Sequence, residues 1–136
     1  MDPMIAKMIS TAHQALKHSY APYSKFTVAS CLQTDKGNLY TGINVENSSY
    51  GLSLCAETSA IAAMVSAGER NIKSMVVLAG SNELCTPCGA CRQSLLEYET
   101  KQNEPIEIYF SGIDGAVYKC DSIKDLLPFS FDASFL

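Results

Sequence analysis

Cys55-Ala56-Glu57, answered further along by Pro87-Cys88-Gly89-Ala90-Cys91, sets the terms for this chain. Three thiolates can hold a zinc ion in three of its four tetrahedral positions, leaving the fourth to water and a nearby carboxylate to move that water's protons. Any fold that serves this purpose must bring two distant segments to one point. The chemistry it points to is hydrolysis.

The spacing has a geometric reading. Ser53 can cap a helix whose apolar positions Ile61, Met64 and Val65 recur at helical intervals and which ends near Gly68. Cys55 and Glu57 then fall in its first turn. In mid-helix, residues i and i+2 point roughly 200° apart, so both serve one ion only if it sits ahead of the helix N-terminus. There the helix dipole and free backbone N–H groups favour a thiolate. Pro87 suits the entry to a second helix, on which Cys88 and Cys91 share a face, and Arg92 can offset further negative charge. Three alternatives compete with this reading. The thiols can be buried and inert; Cys85 can close a structural zinc site; or Cys85-x-x-Cys88-x-x-Cys91 can be half of an iron–sulfur motif. Glu57 argues against closed sites, because a structural site gains nothing from a carboxylate at its mouth.

At 136 residues the chain is expected to form one domain, 1–136, able to bury a core without staples. A net charge of −4 with scattered Lys and Arg argues against a nucleic-acid surface. No apolar run approaches the roughly 20 residues of a membrane span, and Met1-Asp2-Pro3 lacks the basic start of a signal peptide. The expected compartment is the cytoplasm, where six cysteines suit metal binding better than disulfides.

Ile5, Met8, Ile9, Ala12 and Leu16 predict an amphipathic helix over 3–18. Its histidines, His13 and His18, do not share a face and read as surface residues. Residues 26–33 and 39–44 predict a hairpin, 75–79 a buried central strand, 106–110 and 117–120 two further strands, and 121–127 a short helix. The order predicts an α/β fold with a central mixed sheet of five strands and helices on its faces. Asn44 and Glu46 project the same way from an extended segment, and an amide paired with a carboxylate suits sugar hydroxyls, although from these residues alone a solvated turn is the first reading.

Several motifs together resemble the small zinc-dependent cytidine deaminases of nucleoside salvage, over nearly the whole chain: Ser19-Tyr-Ala-Pro-Tyr-Ser24 with Phe26, Gly42-Ile-Asn-Val-Glu-Asn47, Cys55-Ala-Glu57, Pro87-Cys-Gly-Ala-Cys-Arg-Gln93, and Leu126-Leu-Pro128 with Phe131. The resemblance implies three-layer α/β/α architecture, one zinc per chain on Cys55, Cys88 and Cys91, and Glu57 as the proton carrier. It implies hydrolysis of cytidine and deoxycytidine to uridine and deoxyuridine, with release of ammonia, by a homotetramer whose sites are shared between subunits. It matches Asn44 and Glu46 to the 3′-hydroxyl contacts, Phe26 to a ring beside the pyrimidine, and the Ala56 backbone to contacts at the reacting group. Tyr50 and Phe131 match residues that reach a neighbouring subunit's site. One departure stands out: Thr58 follows the glutamate where Cys-ligated members usually carry an arginine that bonds the thiolates. Deaminases of free bases fit the Asn44/Glu46 pair poorly, polynucleotide editors fit the acidic charge poorly, and a metal module without activity leaves Glu57 without a task.

Overall fold

The computed structural model describes residues 1–82 and 84–136. Its elements are α1 (Pro3–Leu16), β1 (Val28–Thr34), β2 (Leu39–Ile43), α2 (Ala56–Ser66), β3 (Ile72–Ala79), α3 (Gly89–Gln102), β4 (Glu107–Ser111) and β5 (Val117–Cys120). Short 3-10 turns lie at Tyr50–Leu52, Ile123–Asp125 and Ala133–Phe135. The five strands form one mixed sheet in the order β2-β1-β3-β4-β5. β3 and β4 pair in parallel, and every other neighbouring pair is antiparallel.

Alternation along the two central strands builds the layers. On one face Ala29, Cys31, Val76 and Leu78 pack against Ile5, Met8 and Ala12 of α1. On the other, Leu32, Met75 and Val77 pack against Ala60, Ile61 and Met64 of α2 and Leu95 and Leu96 of α3. Burial on both faces is why β1 and β3 carry almost no exposed position. The predicted α/β/α sandwich is the fold observed.

Local chemistry starts and stops the helices. Asp2 caps α1, its Oδ1 accepting from the Met4 N–H at 2.8 Å, with Pro3 at the first helical position. Just past the end of α2 stands Gly68, whose φ of +91° lies in the left-handed region. Differences from expectation are local. Ser53 does not cap α2: its hydroxyl accepts from the Asn47 N–H, and Cys55 takes the N-cap position. The expected helix over 121–127 shortens to a 3-10 turn, because buried Glu99 holds this segment by accepting from Ile123 N–H, the Ser122 hydroxyl and Ile106 N–H. His13 and His18 are exposed, as expected.

One close approach fixes α2 on the sheet. A Cβ added to Gly42 of β2 would lie 2.1 Å from the Ala56 carbonyl oxygen and 2.4 Å from the Ala60 backbone nitrogen, so the helix backbone rests on a strand position without a side chain. Gly51, by contrast, has open space around it. Gly42→Ala is therefore expected to destabilise by about 3 kcal/mol and to lower the melting temperature by roughly 10 °C relative to Gly51→Ala. Melting curves that superimpose for the two variants would show that α2 does not need this seat.

Candidate active site

Both helices that face the site begin with a cysteine. Cys55 is the N-cap of α2 and Cys88 the N-cap of α3, each in extended backbone conformation and neither side chain making a capping bond. Cys91 follows in the first turn of α3, buried. The three sulfur atoms lie within 4.8 Å of one another, with Cys55 and Cys88 Sγ 3.8 Å apart. Tetrahedral zinc at about 2.3 Å from each sulfur sets neighbouring sulfurs about 3.8 Å apart, so the donor set fits zinc in spacing and in kind. Among the described residues this is the one cluster of potential metal ligands found.

The electrostatics ask for a cation. Burial pushes the Cys55 thiol up, and Cys88 and Glu57 add to it. Burial also raises Cys91, reinforced by the Glu57 carboxylate and opposed by the Thr58 hydroxyl, 3.7 Å from its sulfur. Partial desolvation pushes the exposed Cys88 up too, but the backbone N–H groups of Cys91 and Ala90 and its thiol neighbours bring it below the usual range. Glu57, 4 % exposed, is held above the usual carboxylate range by burial. A divalent ion among these groups would favour their charged forms. Cys85 lies outside the cluster, and burial, with Glu57 and Cys88, pushes its thiol up to about 11. Its side chain lines the cavity beside the cluster, as a wall residue.

Cys55, Cys88 and Glu57 open onto a cavity of about 340 Å³, with Phe26, Val28 and Leu54 as apolar lining and Asn44 and Glu46 as polar lining. The last two are already at work. Asn44 Oδ1 accepts from the Ser19 hydroxyl and the Val28 N–H, while its Nδ2 donates to the Phe26 carbonyl. Glu46 accepts from the Tyr23 and Ser24 N–H groups, both at 3.1 Å, and from the Ser24 hydroxyl, contacts that hold its carboxyl below the usual range. Counting donors and lone pairs, Asn44 keeps one N–H and the Glu46 oxygen facing Ser24 keeps one acceptor site.

Other expected residues lie elsewhere. Ala56 is buried, and its carbonyl accepts from Ser30 Oγ at 2.8 Å and faces Gly42. Tyr50 is exposed, edge-on to Tyr23 at 6.4 Å, in an adjoining hollow that shares Glu46 and Ser53 with the main cavity. Phe131 stacks on Phe135, and its carbonyl accepts from Gln93 Nε2. Arg92 does not face the thiols: its guanidinium donates to the Pro87 and Leu126 carbonyls and to Thr86 Oγ1. This clamp on the loop that carries Cys88, like the Val28, Leu54 and Thr86 lining, has no signature in residue spacing.

The family model described as the cytidine and deoxycytidylate deaminase zinc-binding region matches residues 4–103. A cytidine deaminase of Sporosarcina psychrophila is 35% identical over 127 residues, covering 93% of this chain and 90% of that protein. One from Mycoplasma genitalium is 38% identical over 128 residues, covering 93% and 95%. The crystal structure of cytidine deaminase from Burkholderia pseudomallei aligns with a TM-score of 0.85 at 37% identity, covering 93% of this chain and 98% of that one. The matched segment spans Cys55, Glu57, Cys88 and Cys91, and the chain belongs to the cytidine and deoxycytidylate deaminase family.

Proposed function

We propose that this protein hydrolyses the 4-amino group of cytidine and deoxycytidine, giving uridine or deoxyuridine and ammonia, in the context of pyrimidine salvage. The observation that carries this is one cavity lined both by buried Glu57 with the thiol cluster and by Asn44 with Glu46. Cys55, Cys88 and Cys91 would hold one zinc ion, which supplies Lewis acidity that makes water reactive at neutral pH. Glu57 takes the protons of the attacking water, delivering one to ring N3 and the second to the departing amine as the C4–O bond forms and the C4–N bond breaks. Its burial raises its proton affinity, which suits a group that must take a proton and give it back. Phe26 and Leu54 flank the base. The single N–H left on Asn44 and the single acceptor left on Glu46 match one sugar hydroxyl, which accepts from the first and donates to the second.

The catalytic unit in this reading is residues 1–136, working in the cytoplasm as a homotetramer with sites shared between subunits. Tyr50 at 78% exposure, Phe131 at 57% and Phe129 fully exposed support the assembly, since so much aromatic surface suits burial by another copy. Tyr50 and Phe131 are the residues that reach a neighbour's site in this assembly, and the Ala56 backbone N–H, at the first position of α2, faces the reacting group. Six free cysteines fit a reducing compartment. No described helix is long and apolar enough to cross a membrane, and the net charge of −4 gives no purchase to nucleic acid.

Glu57→Gln fills the same space but cannot move protons. Its kcat is expected to fall about a thousandfold while zinc content and melting temperature stay at wild-type values. Ammonia release above about a hundredth of wild type would remove Glu57 from the proton-carrying role.

The family covers deaminases of nucleosides and of nucleotides, and the lining of the cavity supports the nucleoside reading. Among the described residues its lining includes Glu46 and Glu57 and no Lys or Arg, while Lys25, whose charge reaches Glu46, stands outside the lining. A 5′-phosphate is expected to lower kcat/KM about a thousandfold relative to cytidine, roughly 4 kcal/mol. A cytidine 5′-monophosphate value within about tenfold of cytidine, roughly 1.4 kcal/mol, would contradict the placement of the sugar against Glu46.

A further inference from the structure

Of the three clustered thiols, Cys91 is the one turned into the protein: it is buried, whereas Cys55 is half-buried and Cys88 exposed. Its neighbours within the cluster, Glu57 and Cys55, add negative charge around it. Arg92, one residue on, is spent on the Pro87 and Leu126 carbonyls and on Thr86. The hydroxyl that reaches Cys91 is that of Thr58, with Oγ1 3.7 Å from Sγ. Thr58 lies on α2 beside a groove between α2 and α3 lined by Ile61, Val65 and Tyr98, on the side of the helix away from the catalytic cavity. The hydroxyl of the next residue is used differently, since Ser59 donates to the Cys55 carbonyl at 3.0 Å.

We propose that Thr58 is a positioning residue for the metal site, its hydroxyl donating to the Cys91 thiolate and slowing release of zinc. A metal-bound cysteine has lost its proton, so in this contact the hydroxyl must be the donor and the sulfur the acceptor. A hydrogen bond to a buried thiolate disperses charge that burial otherwise penalises and fixes the sulfur toward its partners. This inference rests on zinc binding at the three thiols, but its test does not involve substrate.

Zinc-loaded wild type, Thr58→Val and Thr58→Ser are mixed with excess colorimetric chelator, and zinc transfer is followed at fixed pH. Valine keeps the volume and removes the hydroxyl without opening room for a substitute water; serine keeps the hydroxyl and removes the methyl. The Val variant is expected to release zinc about tenfold faster than wild type, and the Ser variant within about twofold of it. Equal rates in Val and wild type, or Ser as fast as Val, would overturn the proposal, the second outcome assigning the effect to methyl packing. If Thr58→Val does not fold, Thr58→Ala against Thr58→Ser gives the same contrast, and equal rates for that pair would overturn it as well. A folded wild type that takes up no zinc would overturn the metal site itself, which separates that failure from this one.

Discussion

The site exists because two helices open at the same edge of one sheet. β1 runs antiparallel to both β2 and β3, so β2 and β3 point the same way. α2 follows β2 and α3 follows β3, so both N-termini face the carboxyl ends of those strands. Each terminus then takes a cysteine at the N-cap, where an Asp or Ser oxygen would ordinarily accept a backbone N–H. The missing capping bonds cost about 1 kcal/mol per helix. In exchange the N–H groups and the positive end of each helix dipole are left to favour thiolate; at α3 the Ala90 and Cys91 N–H groups help hold the Cys88 thiol below its usual range, whereas at α2 burial pushes the Cys55 thiol up.

β2 ties this metal edge to the polar end of the cavity. Gly42 in the strand provides the surface on which the Ala56 to Ala60 turn rests. Directly beyond the strand, Asn44 and Glu46 anchor the loop from Ser19 to Phe26, so the same short stretch sets the height of the helix bearing Glu57 and the position of Phe26. A change at Gly42 is thus felt at Glu57 and at Asn44 and Glu46 together. At the other helix, Arg92, Gln93 and Glu99 hold the C-terminal segment by bonds to Leu126, Phe131, Ser122 and Ile123. The loop carrying Cys88 is braced in this way by a segment distant in sequence.

The sheet and its layers were legible because continuous apolar runs such as Met75 to Ala79 and the alternation in α1 report burial directly. The cluster of Cys55, Cys88, Cys91 and Glu57 was legible because metal chemistry restricts residue type and spacing together. The cap was misread, since spacing shows which residues share a face but not where a helix begins, and Ser53, two residues before Cys55, offered the better intrinsic cap. Arg92 looked like charge compensation because its guanidinium partners are carbonyls and a hydroxyl on other segments, which a linear sequence does not juxtapose. Asn44 and Glu46 proved to be loop anchors as well as cavity lining, a double use that two residue types alone do not disclose.

The central claim is an open metal site with three sulfur ligands, Cys85 standing outside it as cavity wall. X-ray absorption at the zinc edge on the purified zinc-loaded protein tests it most directly. The account predicts three sulfur scatterers at about 2.3 Å and one oxygen or nitrogen at about 2.0 Å. Four sulfur scatterers at about 2.3 Å would contradict it, because the fourth thiol would occupy the position that hydrolysis requires.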